Sequence, residues 1–294
     1  MSSWTAHPAD HLLDAIARLG SPVCVGLDPV VEKLPSALGS SSPVAAISAF
    51  SLGIIRALKG IIPCVKLQSA CYERYGAEGM RALAETMSAA SECGIVTILD
   101  WKRGDIGISA EHYAYAAYQV YGADWTTVNP YLGADGIAPF VARGGAFALV
   151  RTSNPGSDAL QSIRTASGAT IAETVADLVA QTGRTVVGLQ GYSALGAVVG
   201  ATKAREAAAL RLRMPQQLFL VPGFGAQGGT VDDVLPCFNQ DGRGALVTAS
   251  RSVIFPSQTS GSDWTSPVQR AAEAFAAEIR TGLSNAVLAR PHTG

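Results

Sequence analysis

The sequence predicts a single (β/α)₈ barrel, and three observations favour this fold class. Short apolar runs alternate with longer amphipathic runs along the 294 residues, giving eight strand–helix pairs. Each short run is almost entirely apolar in its middle, which is typical of parallel strands covered on both faces. The length also suits such a barrel, because these domains typically have about 250 residues. A doubly wound sheet is the alternative, but it would usually place fewer strands in one domain.

The predicted strands are the short apolar runs. They cover residues 22–29, 63–68, 95–102, 125–131, 146–153, 197–202, 217–223 and 245–250. The predicted helices carry apolar residues at a spacing near 3.6 and cover residues 44–58, 76–93, 109–121, 133–142, 170–181, 203–213, 231–238 and 267–283. An additional amphipathic helix is expected over residues 8–19, beginning at Pro8, with Leu12, Leu13 and Ile16 on one face.

The other segments are expected to be loops of one barrel domain spanning residues 1–294. Two polar loops rich in Gly and Ser are long for a barrel, namely residues 154–169 after the fifth strand and residues 188–196 before the sixth. Loops of this kind are interpreted as lids or plain insertions. Residues 284–294 are expected to form a frayed tail.

Composition excludes several classes of protein. With 48% hydrophobic and 15% charged residues, the chain is not intrinsically disordered. Its net charge of −1 argues against a nucleic-acid partner held by bulk charge. No apolar run approaches the ~18 residues that span a membrane, and the N-terminus lacks a signal-peptide pattern. The five cysteines form no C-x-x-C pair and lie in or beside apolar runs, so a cytoplasmic, reducing location is expected.

Charged residues are scarce, so charges at the ends of apolar strands are informative. Asp28 closes the first predicted strand, Lys66 interrupts the second, Asp100 and Lys102 end the third, and Asp105 follows in the loop. The carboxyl ends of barrel strands are where active sites lie. Residues two apart on a strand share a face, and neighbouring strands are about 4.8 Å apart, so Lys66 should reach Asp100. Because buried charges are costly, this array predicts a functional site rather than structural ion pairs.

A glycine-rich segment predicts a phosphate site near the seventh and eighth strands. Residues 222–229 read PGFGAQGG and lead into a helix, so backbone N–H groups and the helix N-terminus can bind an anion. Arg251 follows the eighth strand. Loops after strands seven and eight form the usual phosphate site of such barrels.

Other kinds of site find no support. The histidines are near the termini or, for His112, inside a helical run, and no His, Cys or Asp cluster has metal-ligand spacing. Neither a G-x-S-x-G elbow nor a G-x-G-x-x-G motif after the first strand is present. No metal and no organic cofactor are therefore predicted.

The segment LDWKRGDIG, residues 99–107, resembles the D-x-K-x-x-D-[IV] signature of the orotidine 5′-phosphate decarboxylase family. VGLDP, VKLQSACYERYG, TVNPYLGADGI, VRTSNPGS, VPGFGAQGG and TASRSVIF also resemble blocks of that family, in family order, from residue 23 to residue 255. The pattern is most similar to the longer bacterial subgroup. The D-x-K-x-x-D core is shared with some related sugar-phosphate decarboxylases.

The resemblance implies a reaction and a role for each matching residue. The reaction is the decarboxylation of orotidine 5′-phosphate to UMP, the last step of de novo pyrimidine synthesis, without a metal or cofactor. The implied catalytic array is Lys66, Asp100, Lys102 and Asp105, with Lys102 as proton donor. The implied substrate contacts are Asp28 for the ribose, Ser153 and Ile106 for the base, and Pro222, Gly223, Gln227, Gly228 and Arg251 for the phosphate, with Ser109 where the family often has threonine. The resemblance also implies a homodimer in which Asp105 reaches the neighbouring site.

The residues suit this chemistry independently of the resemblance. Loss of CO₂ from C6 of the pyrimidine leaves a carbanion without a conjugated sink, so charge must be placed for the transition state. Asp100 can repel the leaving carboxylate, and Lys102 can stabilise C6 and then protonate it. A Schiff-base aldolase is less suitable, since a lysine between aspartates has a raised pKa. A metal-dependent sugar-phosphate decarboxylase would need a carboxylate where Lys66 stands, and a non-catalytic phosphosugar-binding barrel leaves the charge array without a purpose.

Overall fold

The computed structural model describes residues 6–39, 42–225, 228–256 and 263–288. Eight parallel strands form a closed barrel in chain order, and β1 completes it by pairing with β8. The (β/α)₈ barrel predicted from the sequence is confirmed. The strands are β1 Val23–Leu27, β2 Cys64–Gln68, β3 Val96–Arg103, β4 Trp125–Val128, β5 Gly145–Arg151, β6 Leu195–Val199, β7 Phe219–Pro222 and β8 Ala245–Ala249.

The longer helices surround the strands. They are α1 Pro8–Leu19, α2 Pro43–Leu58, α3 Gly76–Glu92, α4 Gly107–Tyr115, α5 Ala134–Val141, α6 Ile171–Gly183, α7 Ala204–Arg213 and α8 Thr265–Leu288. Local capping explains several boundaries. Thr170 and Glu173 form a capping box at the start of α6. The α1 helix has Pro8 in its first turn and ends at Gly20, whose φ of 68° is left-handed.

Several element ends differ from the sequence-based prediction. The strand predicted over 125–131 ends at Val128, because the Asn129 side chain accepts from the Tyr131 N–H and caps a 3₁₀ turn. The strand predicted over residues 197–202 corresponds to β6, which begins two residues earlier and ends three residues earlier than predicted. The prediction of a frayed tail from residue 284 is wrong for residues 284–288, because α8 continues to Leu288. Residues 289–294 lie outside the described part.

The barrel interior is closed by apolar side chains at the amino-terminal end of the strands. Trp125 and Phe147 stack there with ring centroids 4.4 Å apart, and Leu12 of α1 covers the opening. Asp10 of α1 accepts hydrogen bonds from the N–H groups of Leu189 and Gln190. The loop predicted over 188–196 therefore anchors α1 below the barrel. The charged side chains of the barrel interior lie instead at the carboxyl ends of the strands.

Within the described ranges, no helix is both long and apolar enough to cross a membrane. All five cysteines are free thiols.

Candidate active site

A cavity of about 510 Å³ opens at the carboxyl ends of the strands. Its wall contains eight of the residues singled out in the sequence: Asp28, Lys66, Asp100, Lys102, Ser153, Pro222, Gly223 and Arg251. Loops from strands that are distant in the sequence bring these side chains together, as expected for a barrel.

The four charged residues at the base of the cavity form a continuous ion-paired chain. Lys66 Nζ lies 2.8 Å from Asp100 Oδ2, and Lys102 Nζ lies 2.6 Å from Asp100 Oδ1. Asp28 Oδ1 lies 3.6 Å from Lys66 Nζ. Lys66 and Asp100 are buried, whereas 46% of the Lys102 side chain is exposed. Positive and negative charges thus alternate from the buried base of the cavity to its solvent-exposed side.

A bulge at the end of β3 positions Lys102. The pairing of β3 with β4 shifts between Leu99 and Arg103, so four steps along β3 match two along β4. Lys102 has a φ of 51°, and it is the sole non-glycine residue with a positive φ in the described ranges. Its backbone N–H donates to Thr127 Oγ1 at 2.9 Å. Backbone strain of this kind is typical of functional sites, where the surroundings enforce it.

The neighbouring cations keep Asp100 ionised. Burial by itself would raise the pKa of this carboxyl, but the charges and hydrogen bonds of Lys66 and Lys102 hold the pKa well below its usual range. For Lys66, burial would lower the pKa, but the charges of Asp100 and Asp28 raise it well above its usual value. Both groups are charged at neutral pH, and a protonated Lys66 is a poor Schiff-base nucleophile.

Two polar partners of Asp100 were not found by sequence reasoning. Thr127 Oγ1 donates to Asp100 Oδ1 at 2.8 Å, and Gln68 Nε2 donates to Asp100 Oδ2 at 3.3 Å. Both lie at the carboxyl ends of strands and line the cavity. Their position was the available signal, but threonine is common in strands and Gln68 carries no charge. Each Asp100 oxygen therefore has an ammonium partner and a second hydrogen-bond donor.

The glycine-rich segment lies beside Arg251 at the cavity rim. Gly223 and Gly228 have φ values of 102° and 89°, which favour glycine. The Gly229 N–H donates to the Gly223 carbonyl at 3.1 Å and closes the loop. Pro222, Gly223 and Arg251 line the cavity, and the described part of its wall does not include Gly228. Gln227 lies outside the described residues.

Three predicted site residues are not among the described residues that line the cavity of their own chain. They are Asp105, Ile106 and Ser109, which lie just before α4 and in its first turn. Asp105 Oδ1 accepts from the Ile106 N–H at 2.8 Å, and the Ile106 side chain is 57% exposed. The sequence-based prediction that Asp105 reaches the site of a neighbouring chain therefore stays a prediction.

Replacing Asp100 by asparagine is expected to lower the free energy of unfolding at pH 7 by about 3 kcal/mol, because the buried Lys66 loses its nearest counter-ion. The folded-state pKa of Asp100 lies below its ordinary value of 3.8. Its stabilising contribution is therefore present above about pH 4 and is lost as the pH falls through the folded-state pKa. Urea titrations of wild type and variant should show a difference that shrinks below about pH 4.

The matched control for this prediction is Asp177→Asn. Asp177 forms a 2.8 Å ion pair with Arg213, and both side chains are substantially exposed. Because exposed pairs contribute little, the control should lose no more than about 1 kcal/mol. Equal losses for Asp100→Asn and Asp177→Asn would contradict the assignment of Asp100 as a buried counter-ion.

The fold and the cavity define a class of protein, namely a (β/α)₈ barrel with a Lys–Asp–Lys charge array beside a glycine-rich loop. Comparison with known proteins narrows this class. Residues 21–256 match the Orotidine 5′-phosphate decarboxylase / HUMPS family. The chain belongs to this family, and it is accordingly an enzyme of the carboxy-lyase class.

Individual relatives agree with that assignment. An orotidine 5′-phosphate decarboxylase of Rhodopirellula baltica is 43% identical over 266 residues, which cover 84% of this chain and 88% of the relative. An orotidine 5′-phosphate decarboxylase of Clostridium acetobutylicum is 37% identical over 253 residues, which cover 83% of this chain and 88% of the relative. The solved structure of Leishmania donovani OMP decarboxylase has a TM-score of 0.79 and 30% identity, covering 95% of this chain and 99% of that chain.

Proposed function

We propose that the protein converts orotidine 5′-phosphate to UMP and CO₂ in de novo pyrimidine synthesis. The observation that carries this proposal is Asp100, held between Lys66 and Lys102 at the base of a cavity whose rim has Arg251 and Gly223. The cavity therefore offers an anion site at one end and an array of fixed charges at the other. The five free thiols support a reducing, cytoplasmic location.

The substrate would be oriented by its phosphate. Arg251 and the backbone around Gly223, with Gln227, would bind the phosphate after β7 and β8. Asp28 would accept hydrogen bonds from the ribose hydroxyls, and Ser153 would contact the pyrimidine ring from the end of β5. This orientation places the C6 carboxylate beside Asp100.

The reaction follows from the charges around C6. The bond between C6 and the carboxylate carbon breaks, CO₂ leaves, and the electron pair remains on C6. The Lys102 ammonium stabilises this developing negative charge, because it is held close by Asp100 and needs no reorganisation. Lys102 then transfers its proton to C6, and its partly exposed side chain can take a new proton from water.

The donor set at the base of the cavity supports a metal-free mechanism. Both oxygens of Asp100 are already paired with ammonium groups at 2.8 and 2.6 Å. A divalent cation at this carboxylate would have to displace Lys66 or Lys102 and would be repelled by the other. We therefore propose that the electrostatic work is done by the side chains themselves.

The reaction is tested by adding orotidine 5′-phosphate to the purified protein and following the ultraviolet change. Mass spectrometry should identify UMP, one CO₂ lighter than the substrate. A phosphorylated sugar acid, the substrate class of the related sugar-phosphate decarboxylases, serves as the comparison and should not be consumed. Consumption of the sugar acid without UMP formation would reject the proposal.

We further propose a homodimer in which Asp105 acts in the neighbouring site. Asp105 is not among the described residues that line the cavity of its own chain, and it lies two residues before the start of α4. Large apolar side chains are exposed at the start of α4 and in the 3₁₀ turn after β4, namely Ile106, Ile108, Tyr131 and Leu132, with Tyr131 82% exposed. Such a patch is typical of an interface. A two-fold axis through it would complete both sites at once.

Mixing two inactive variants tests the shared site. Lys102→Ala and Asp105→Ala homodimers should each be nearly inactive. After an equal mixture is denatured and refolded, about half of the dimers should be hybrids with one site carrying both changes and the other carrying neither. Activity should then recover to roughly a quarter of wild type. If native mass spectrometry shows hybrids but activity does not recover, Asp105 acts in its own chain.

A further inference from the structure

A buried arginine lies beneath the cavity wall and has no role in the proposed chemistry. Arg151 ends β5 with a relative exposure of 1%. Its guanidinium binds Glu206 at 2.5 Å through Nε and 3.0 Å through Nη2, and it also binds Asp158. Lys203 donates to the same Asp158 carboxylate at 2.8 Å. The loop after β5 is thus tied to the start of α7.

Two further hydrogen bonds of Arg151 reach Ser157 and Gln161, whose side chains both bind Thr152. Arg151 Nη1 donates to Ser157 Oγ at 2.9 Å and to Gln161 Oε1 at 3.2 Å. Gln161 Oε1 also accepts from the Thr152 N–H at 2.9 Å, and Gln161 Nε2 donates to Thr152 Oγ1 at 2.9 Å. Ser157 Oγ donates to the Thr152 carbonyl at 3.1 Å. The backbone N–H, the carbonyl and the hydroxyl of Thr152 are therefore all fixed from this network.

Ser153 follows Thr152 directly and is confined on its other side by Gly200, the residue after β6. A Cβ at Gly200 would lie 2.8 Å from the Ser153 Cβ and 2.9 Å from its backbone nitrogen. Ser153 therefore packs against the backbone of Gly200 on one side. On the other side, Gln161 holds the preceding residue, Thr152, by two hydrogen bonds. Both Gln161 and Ser153 line the cavity.

We propose that Gln161, held by Arg151, is a positioning residue that fixes Ser153 against the pyrimidine ring of the substrate. This inference rests on the proposed function, and it adds a determinant of base binding from the long loop after β5. The loop over 154–169 is then a support for the base site. Displacements of about 1 Å in such supports can cost on the order of 10²-fold in rate.

A double-mutant cycle tests whether Gln161 acts through Ser153. Gln161→Ala is the main variant, because Gln161 is partly exposed and ends a short helix, Asp158–Gln161, outside the barrel strands, so the barrel is expected to stay intact. It should lower kcat/KM for orotidine 5′-phosphate by on the order of 10²-fold in the wild-type background. In the Ser153→Ala background the same change should cost less than about threefold. Binding of ribose 5-phosphate, which lacks the base, should be unchanged in all variants.

Arg151→Lys tests the source of the constraint, since lysine cannot make the forked contacts of a guanidinium. It should reproduce the Gln161→Ala loss, whereas Arg213→Lys, at an exposed ion pair on α7, should keep wild-type kcat/KM. Additive losses in the cycle, weaker binding of ribose 5-phosphate, or wild-type kcat/KM in Ser153→Ala would each overturn the inference. Failure of the proposed function shows separately, as a wild-type protein that does not turn over orotidine 5′-phosphate.

Discussion

Lys102→Ala should lose far more than about 10²-fold in kcat while the barrel remains folded. General-acid catalysis by a positioned side chain contributes about 10²–10⁴-fold, and the electrostatic stabilisation of C6 is lost in addition. The side chain is partly exposed, and without it Asp100 keeps its bonds to Lys66, Thr127 and Gln68. Stopped-flow or steady-state assays, with circular dichroism as the check on folding, measure the effect.

Lys66→Ala is the matched comparison for this result. Lys66 is buried and bridges Asp28 and Asp100, so it is expected to organise the charges rather than to deliver the proton. If Lys102→Ala kept more than about a tenth of the wild-type kcat, the loss would be too small for a general acid, and Lys66 would become the better candidate for proton donor.

Removal of the substrate phosphate should have the second large effect. Orotidine is expected to lose several orders of magnitude in kcat/KM relative to its 5′-phosphate, because remote binding energy is used in the chemical step. Arg251→Ala should lower kcat/KM for the whole substrate by about 10²-fold or more, since a charged partner of the phosphate is lost. Steady-state kinetics with both substrates provides the measurement.

Arg251→Ala should have little further effect on orotidine, which has no phosphate to bind. That comparison separates phosphate binding from general damage to the cavity. Turnover of orotidine at nearly the rate of its phosphate would show that the segment around Gly223 and Arg251 is not the phosphate site.

The barrel was predictable because its determinants are local. Each strand is covered on both faces, so its apolar run is visible in the sequence, and the helices between the strands keep their own period. Strand ends were less predictable where a side chain redirects the backbone, as Asn129 does after β4. The loop over 188–196 could not be placed, because its hydrogen bonds to Asp10 join segments about 180 residues apart.

The charge array was predictable because charged residues within apolar strands are rare. The short distance between the side chains of Asp100 and Lys102 was expected from their spacing on a regular strand. In the structure, a bulge in β3 and a positive φ at Lys102 bring them together. This irregularity depends on the pairing of β3 with β4, which no local pattern encodes. The network around Arg151 was missed for a similar reason, because its partner Glu206 is 55 residues away on α7.

The most direct test of the account is turnover of orotidine 5′-phosphate by protein that has been exhaustively chelated. Lys66, Asp100 and Lys102 are expected to supply the electrostatic stabilisation and the proton without a metal ion. Chelated protein, checked for residual metals by elemental analysis, should form UMP at the untreated rate, and added Mg²⁺ or Zn²⁺ should not increase that rate. Activity that is abolished by chelation and restored by either ion would contradict the account.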